Sequence, residues 1–308
     1  MNSKANVGDT VEIFGINNSG HDVNSMKNCL IQLGVKMEKV YLNGNKFPLG
    51  SEFIGDDISS VIIHGVGIHG FKKPDEKLDV GNSGTTLRLI SILCSRFDFE
   101  VIIDGDMSMR GRDTKSLWNS MTNSGVDVSF SKDEFRLPVK IHGPWFKEGQ
   151  NKSLLLDVSK SSQPLSAWIL SSSALEEELE IQFSGVPVSN RHWKLSLEMC
   201  NSNGAGIVLQ ENRLKIKPWS ISLNSKLEIP KDASMASFAM LAVSCLEIPG
   251  KIIGWPEREQ CIGHEILFDI SESIGINWNK SNLKKLSVSR SIEAVSYTHL
   301  TLPTILLV

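Results

Sequence analysis

The chain has 308 residues and a mass of 34.0 kDa, enough for about two ordinary domains. A net charge of −3, from 32 Lys and Arg against 35 Asp and Glu, argues against a protein built to wrap nucleic acid or an anionic membrane. A hydrophobic content of 41% excludes a disordered chain, and no apolar run approaches the ~18 residues of a membrane span. The start, MNSKANVGDTVEIFG, lacks the apolar stretch of a signal peptide. Cys29, Cys94, Cys200, Cys245 and Cys261 are scattered without a Cys-x-x-Cys, which reads as reduced core thiols in a cytoplasmic protein.

Four β-rich runs end in glycine along the chain: TVEIFG at Gly15, FEVIIDG at Gly105, LEIQFSG at Gly185 and GKIIG at Gly254. Each leads into a helical pattern closed by a second glycine, at Gly34, Gly125, Gly204 and Gly275, after 19, 20, 19 and 21 residues. A closing glycine suits the left-handed position that ends a helix. Three of these helices have an apolar face at steps of 3 or 4: Val23, Met26, Leu30 and Leu33; Trp193, Leu197 and Cys200; Ile266, Ile270 and Ile274. Paired β-patterned runs follow, as in Val126, Val128 and Phe130 before Leu137, Val139 and Ile141, and Ile207 and Leu209 before Leu214 and Ile216. A second, more apolar helix precedes the β-run of units two to four: TTLRLISILCSR, QPLSAWILSSSAL and SMASFAMLAVSCL.

The fold class expected is α+β, a mixed α/β prism of helix-strand-helix-strand-strand units with a period of about 70 to 90 residues. In this frame the first helix of unit one falls before Met1, so the chain is expected to begin inside a repeat; a shortened terminal cap is the alternative. The tail VSYTHLTLPTILLV fits no unit and reads as non-native sequence, with a C-terminal strand as the alternative. The expected division is 1–225 as a three-repeat domain, 226–294 as the first repeat of an incomplete second domain, and 295–308 as that tail.

Three turns recur at matching places in the repeat. Gly81-Asn82-Ser83-Gly84-Thr85-Thr86 opens an apolar helix, where N–H groups at the helix start favour a phosphate or carboxylate. Ser and Thr there are equally explained as N-caps, and no Lys follows the second glycine as a Walker loop requires. Lys160-Ser161-Ser162-Gln163-Pro164 sets two hydroxyls and an amide at the next helix start, suited to a phosphate, a polyol or simply a cap. Lys231-Asp232-Ala233-Ser234 reads mainly as a cap. In the loop after Gly105, Arg110 and Arg112 are two guanidiniums suited to clamping an anion, or else a solvated surface pair. The matching loop of unit three is Pro187-Val188-Ser189-Asn190-Arg191-His192.

GNSGTTLR, GDMSMRGR, SSQPLSA and DASMAS, in this order and spacing from about Thr10 to Arg290, resemble the 5-enolpyruvylshikimate-3-phosphate synthase (3-phosphoshikimate 1-carboxyvinyltransferase) family. The resemblance implies two three-repeat α/β prisms facing a cleft. It implies transfer of the carboxyvinyl group of phosphoenolpyruvate to the 5-hydroxyl of shikimate 3-phosphate, with loss of phosphate and without metal or cofactor. By motif, Ser161, Ser162, Gln163 and Ser189 would hold shikimate 3-phosphate, with His192 in the substrate-stacking role. Gly84, Arg112 and Gln163 would border phosphoenolpyruvate, with Asn82 and Thr85 in the adjoining turn. The chain departs from the family at Asn190-Arg191-His192, where the cation has moved one place, and at Asp113, which replaces a usual Pro.

The family's Lys-Ser-x-x-x-Arg helix and its catalytic acid and base have no match on this chain, so the catalytic residues are unassigned. The isolated polypeptide is therefore expected to bind shikimate 3-phosphate weakly and not to turn over. The expected partners are the two small molecules, with no nucleic acid and no membrane, and the full-length protein is expected to be a cytoplasmic monomer. Three other readings stand beside this one. UDP-N-acetylglucosamine enolpyruvyltransferase commonly has a reactive Cys where this chain has Met107, whose thioether forms no adduct. RNA 3′-phosphate cyclases use related repeats, but the chain lacks a basic, aromatic stripe. A non-catalytic repeat scaffold would not be stabilised by shikimate 3-phosphate.

Overall fold

The computed structural model describes residues 8–16, 19–52, 54–131, 133–146, 152–187, 190–222, 225–229, 236–246, 250–253, 276–281 and 285–290. Two compact units divide the chain, Met1–Glu228 and Ile229–Val308. Among the described residues no helix is long and apolar enough to cross a membrane. The tail 295–308 and the Ile266–Ile274 helix expected in unit four lie outside the described residues.

The first compact unit carries three repeats. Repeat one is β1 (Thr10–Phe14), α1 (His21–Gln32), β2 (Met37–Tyr41), β3 (Lys46–Pro48) and β4 (Ile58–His64). Repeat two is β5 (Leu78–Asp79), α2 (Gly84–Cys94), β6 (Glu100–Asp104), α3 (Met107–Arg110), α4 (Lys115–Asn123), β7 (Asp127–Phe130) and β8 (Val139–His142). Repeat three is β9 (Ser153–Asp157), α5 (Gln163–Ser171), β10 (Leu179–Ser184), α6 (Asn190–Asn201), β11 (Val208–Gln210) and β12 (Arg213–Ile216). A last strand, β13 (Lys226–Glu228), closes the unit three residues beyond 225, because it pairs with β1. In the second compact unit, α7 (Ala236–Leu246) is followed by β14 (Gly250–Ile253), β15 (Ile276–Ser281) and β16 (Lys285–Arg290), which form an antiparallel sheet ordered β14-β16-β15.

The sheets expose a strand that the repeat pattern misses. Repeat two has the order β5-β6-β8-β7 and repeat three the order β9-β10-β12-β11. In each, a leading strand runs parallel to the strand that follows the inner helix. In repeat one this slot is filled by β13, with Ile13 opposite Leu227. The true repeat is thus strand-helix-strand-helix-strand-strand. The short β5 and the late arrival of β13 hide the leading strand from periodicity.

The helices α2 and α5 form the centre. Both are apolar nearly all round, as fully enclosed helices must be. Leu87, Ile90 and Ile92 of α2 and Leu165, Trp168 and Ile169 of α5 are at most 1% exposed. Each such side chain contributes roughly 1.5–3 kcal/mol by leaving water. The Trp168 indole stacks on Trp145 at 4.4 Å, and its N–H donates to Ser120 Oγ at 3.1 Å, so its polar edge is also satisfied. Around this centre α1 packs on α2 and α6 on α5. On α6 the expected face is buried, led by Trp193 and Cys200. On α1 the face is turned: Val23 is 49% exposed, while Cys29 joins Leu33 at 0%. The small Cys29 lets α1 approach the sheet, and its thiol lies 3.5 Å from the Asp79 carbonyl.

Two arginines fix ends of this arrangement. Arg96, just past α2, donates to the carbonyls of Ser171 at 2.8 Å, Ser173 at 2.6 Å and Ala174 at 3.1 Å. These are carbonyls at the C-terminal end of α5, which have no partner within their own helix. The guanidinium also lies over the Trp145 ring, and burial pushes its pKa down to about 10. Arg110 grips Asp104 with two parallel bonds, Nε to Oδ1 at 2.9 Å and Nη2 to Oδ2 at 2.7 Å. Lys77 adds a third bond at 2.6 Å to this carboxylate, which is 2% exposed. Burial raises the Asp104 pKa, but the bonds from Arg110 and Lys77 outweigh it and hold the carboxyl well below the usual range.

Two outcomes follow for stability. Arg96→Met is expected to lower unfolding stability by about 3 kcal/mol, because it strands the carbonyls of the buried Ser171 and Ser173; the urea midpoint checks it. Asp104→Asn is expected to cost about 2–3 kcal/mol at neutral pH. Because the folded pKa is depressed, the difference from wild type is full above about pH 5 and shrinks as pH falls below about 4. Denaturation curves taken along a pH series read this directly.

Candidate functional site

Parallel pairing sets up the site. Asp79 lies opposite Asp104 at the ends of β5 and β6, so the turns leaving the two strands run side by side. Val80 N–H donates to the Asp104 carbonyl at 2.9 Å, and Asp106 N–H to the Gly81 carbonyl at 3.0 Å. The approach is close enough to require glycine: a Cβ on Gly105 would stand 2.8 Å from the Gly81 carbonyl oxygen. The same pairing recurs at β9 and β10, where Val158 N–H donates to the Ser184 carbonyl at 3.0 Å. The register therefore delivers the starts of α2 and α5 to one end of the unit.

At the start of α2 the capping reading and the ligand reading hold together. Ser83 caps the helix, its Oγ accepting from Thr86 N–H at 3.2 Å, and is 1% exposed. Asn82 and Thr85 on either side are exposed. Asn82 Oδ1 accepts from Arg112 Nη2 at 2.6 Å, which draws the arginine loop over the turn. The expected pair of clamping arginines is corrected here: Arg110 is turned back onto Asp104 and only Arg112 faces the turn. The buried carboxylate at the end of β6 takes the nearer guanidinium.

The start of α5 meets the start of α2 through Gln163. Its Nε2 donates to Thr85 Oγ1 at 3.1 Å. Its backbone N–H donates to Ser161 Oγ at 3.3 Å. Ser162 is 3% exposed, and Pro164 occupies the first turn of the helix. Asp113, which departs from the family's Pro, pairs with Lys160 Nζ at 2.5 Å and so ties the arginine loop to the α5 turn. That contact holds the Asp113 carboxyl below its ordinary value. The structure thus brings together Asn82, Gly84, Thr85, Arg112, Ser161 and Gln163. His192 lies on the exposed first turn of α6, and Ser189 lies outside the described residues.

One residue of this cluster is missing from the sequence-based set. Arg88 Nη1 donates to the Gly84 carbonyl at 2.8 Å and to Gln163 Oε1 at 2.9 Å. Burial and the neighbouring charge of Arg112 push its pKa below the ordinary arginine value. A signal existed: an arginine one turn into an otherwise apolar inner helix, GTTLRLISILC, is out of pattern. A groove of about 370 Å³ opens beside it, lined by Arg88, Lys160, Ser161 and Ser116 and also by the carboxylates of Asp113 and Asp157, the first of them paired with Lys160.

The arrangement suits an anion. Two helix starts meet here: that of α2 offers N–H groups, and that of α5, where Ser161 takes the Gln163 N–H and Pro164 has none, offers the positive end of its dipole. The hydrogen bonds of Arg88 and Arg112 go to neutral oxygens, so these bonds leave both charges uncompensated.

The family model for EPSP synthase (3-phosphoshikimate 1-carboxyvinyltransferase) matches residues 16–306, a range that includes most of the 295–308 tail. A 3-phosphoshikimate 1-carboxyvinyltransferase of Thermodesulfovibrio yellowstonii is 30% identical over 213 residues, 69% of this chain and 47% of that protein. One of Streptococcus thermophilus is 31% identical over 247 residues, 78% of this chain and 54% of that protein. The chain thus spans about half the length of the curated relatives it matches. Among solved structures, EPSP synthase from Acinetobacter baumannii aligns with a TM-score of 0.65 at 21% identity, covering 93% of this chain and 59% of that one. The enolpyruvyl transferase NikO from Streptomyces tendae aligns at 0.61 and 12% identity, covering 93% and 61%. These two likenesses establish the α+β enolpyruvyl transferase fold. With the family model matched over nearly the whole chain, and its motifs lying at the paired helix starts, the chain belongs to the EPSP synthase (3-phosphoshikimate 1-carboxyvinyltransferase) family.

Proposed function

We propose that the whole protein transfers the carboxyvinyl group of phosphoenolpyruvate to the 5-hydroxyl of shikimate 3-phosphate and releases phosphate, as a cytoplasmic enzyme acting as a monomer. The observation that carries this reading is the pair of guanidiniums, Arg88 and Arg112, converging on Gly84 between two helix starts. Both substrates are multiply charged anions, and fixed donors at such a place stabilise charge without reorganising. In this reading Gly84, Thr85, Arg112 and Gln163 border phosphoenolpyruvate, with Asn82 holding Arg112 over it. Ser161, Ser162, Gln163, Ser189 and His192 take shikimate 3-phosphate. The chemistry is addition followed by elimination and needs a proton donor for the methylene carbon and a base for the hydroxyl. No residue of this chain is assigned to either task. The isolated polypeptide is therefore proposed to bind its ligands without turnover.

The sister reaction on UDP-N-acetylglucosamine is disfavoured. Met107, 80% exposed at the start of α3, stands where that family commonly carries its reactive thiol. Nucleic acid is disfavoured by the net charge of −3.

Gly84 gives the reading a sharp edge. A Cβ there would lie 2.7 Å from Arg88 Nη1 and 3.1 Å from Arg112 Nη1, so both guanidiniums would have to withdraw. Backbone is not in the way, and the helix gains from losing a glycine.

Shikimate 3-phosphate, and phosphoenolpyruvate in its presence, are expected to raise the melting temperature of the purified chain, whereas UDP-N-acetylglucosamine does not. A ligand at 100 times its Kd adds about 2.7 kcal/mol. No shift with millimolar shikimate 3-phosphate would overturn the proposal, and phosphate release above background would overturn the absence of turnover. Gly84→Ala is expected to stay within about 1 kcal/mol of wild-type stability. Its phosphoenolpyruvate affinity, measured by calorimetry, is expected to drop about tenfold or more, equivalent to ~1.4 kcal/mol.

A further inference from the structure

In the reading above Arg88 enters only as a charge near Gly84 and is given no ligand contact, yet it sits where the two inner helices begin. Its guanidinium carries donors and no acceptor. One nitrogen, Nη1, bridges the Gly84 carbonyl of its own helix and Gln163 Oε1 of α5. The bond to Gly84 runs back one turn along α2, so the side chain is held by the helix that carries it. A carboxamide fits most sites in either of two orientations with oxygen and nitrogen exchanged. Beside Arg88 only one works: the oxygen must face the guanidinium. Both N–H groups of Gln163 are then directed away from Arg88, and one of them donates to Thr85 Oγ1 at 3.1 Å. Thr85, having accepted this bond, keeps its own hydroxyl proton to donate, and it is exposed.

The result is a chain of hydrogen bonds with one polarity, Arg88 to Gln163 to Thr85, whose outer end offers donors. We propose that Arg88 is a positioning residue that sets the direction of this chain, so that Gln163 and Thr85 present N–H and O–H groups, and not lone pairs, to an anion between the starts of α2 and α5. This rests on the anion-site reading above for its ligand, but the orientation of Gln163 can be measured without one. With Arg88 removed, the Gln163 amide is free to turn over and to present its oxygen to a phosphate or carboxylate, where it repels.

The test is a double-mutant cycle in the full chain, with calorimetric affinity for inorganic phosphate and for shikimate 3-phosphate. Arg88→Met and Gln163→Ala are each expected to weaken binding by about tenfold. The double variant is expected to fall within about twofold of Gln163→Ala alone, because Arg88 acts through Gln163. Equal losses from R88M in both backgrounds would show that Arg88 meets the anion directly and would overturn the proposal. So would a fall in melting temperature with unchanged affinity, which marks a purely structural residue. Should R88M fail to fold, R88K, which keeps the charge but donates from a single point, serves in the same cycle. A second readout needs no ligand. The Gln163 side-chain amide pair in a nitrogen–proton NMR spectrum, identified by its loss in Q163A, is expected to be protected from solvent exchange in wild type. It is expected to move to solvent-like shifts in R88M; an unchanged pair overturns the proposal. If wild type binds neither ligand, the proposed function fails, and the amide signal still decides the role of Arg88.

Discussion

The fold depends on α2 and α5 packing side by side with their starts at the same end. Their enclosed faces leave little room for polar groups, so the ends of the helices must be satisfied from outside. Arginines on or next to α2 meet α5 at both ends. Arg96 takes carbonyls at its C-terminal end, and Arg88 holds Gln163 at its start. The two lie eight residues apart, about 12 Å along a helix. One is structural, closing carbonyls that would otherwise be orphaned. The other stands where a ligand would arrive. Both arginines donate to oxygens, but Arg96 closes backbone carbonyls at a helix end, whereas Arg88 takes a side-chain amide oxygen beside two helix starts, where an anion is favoured.

Parallel strands make this packing possible. A leading strand enters each sheet beside the strand that leaves the inner helix, and their equal ends align the turns above them. Gly105 against Gly81 is the tightest point of that alignment. Asp104 then fixes the arginine loop from below by binding Arg110, which leaves Arg112 to reach Asn82 across the turn. The site is thus a consequence of sheet register before it is a set of side chains. A change at Asp104 would disturb Arg112 without touching it.

Much of this is legible in the sequence, and the exceptions have physical causes. Glycine punctuation marks the ends of β6 and β10, and apolar runs mark α2 and α5. The turns at Gly81–Thr86 and Ser161–Pro164 announce themselves by composition. What hides is what depends on pairing across the chain. The strand β13 belongs beside β1, over 200 residues earlier, and no local pattern tells it apart from a lead-in to α7. Val23 matches the apolar period of α1 yet faces solvent, because Cys29 supplies the close contact in its place. Arg110 and Arg112 look alike in sequence, and only the buried carboxylate of Asp104 separates them. Arg88 reads as an interruption of an apolar helix until Gln163 is seen opposite it.

The electrostatics join these observations. Arg88 and Arg112 approach one glycine with hydrogen bonds to neutral oxygens, and burial together with the charge of Arg112 disfavours the charged form of Arg88. Such a pair raises the free energy of the folded chain, and the cost is largest where water is excluded. It is sustained because the centre below is dense, with Trp168 stacked on Trp145 and Arg96 locking the far end. An anion taken by Arg112 and by the donors that Arg88 orients through Gln163 offsets this repulsion. Affinity at this place and strain at this place therefore have one origin. Removing either charge relieves the repulsion but also takes away hydrogen bonds, to Gly84 and Gln163 for Arg88 and to Asn82 for Arg112, and with them the site. Glycine at 84 is the residue that lets the two charges come so close.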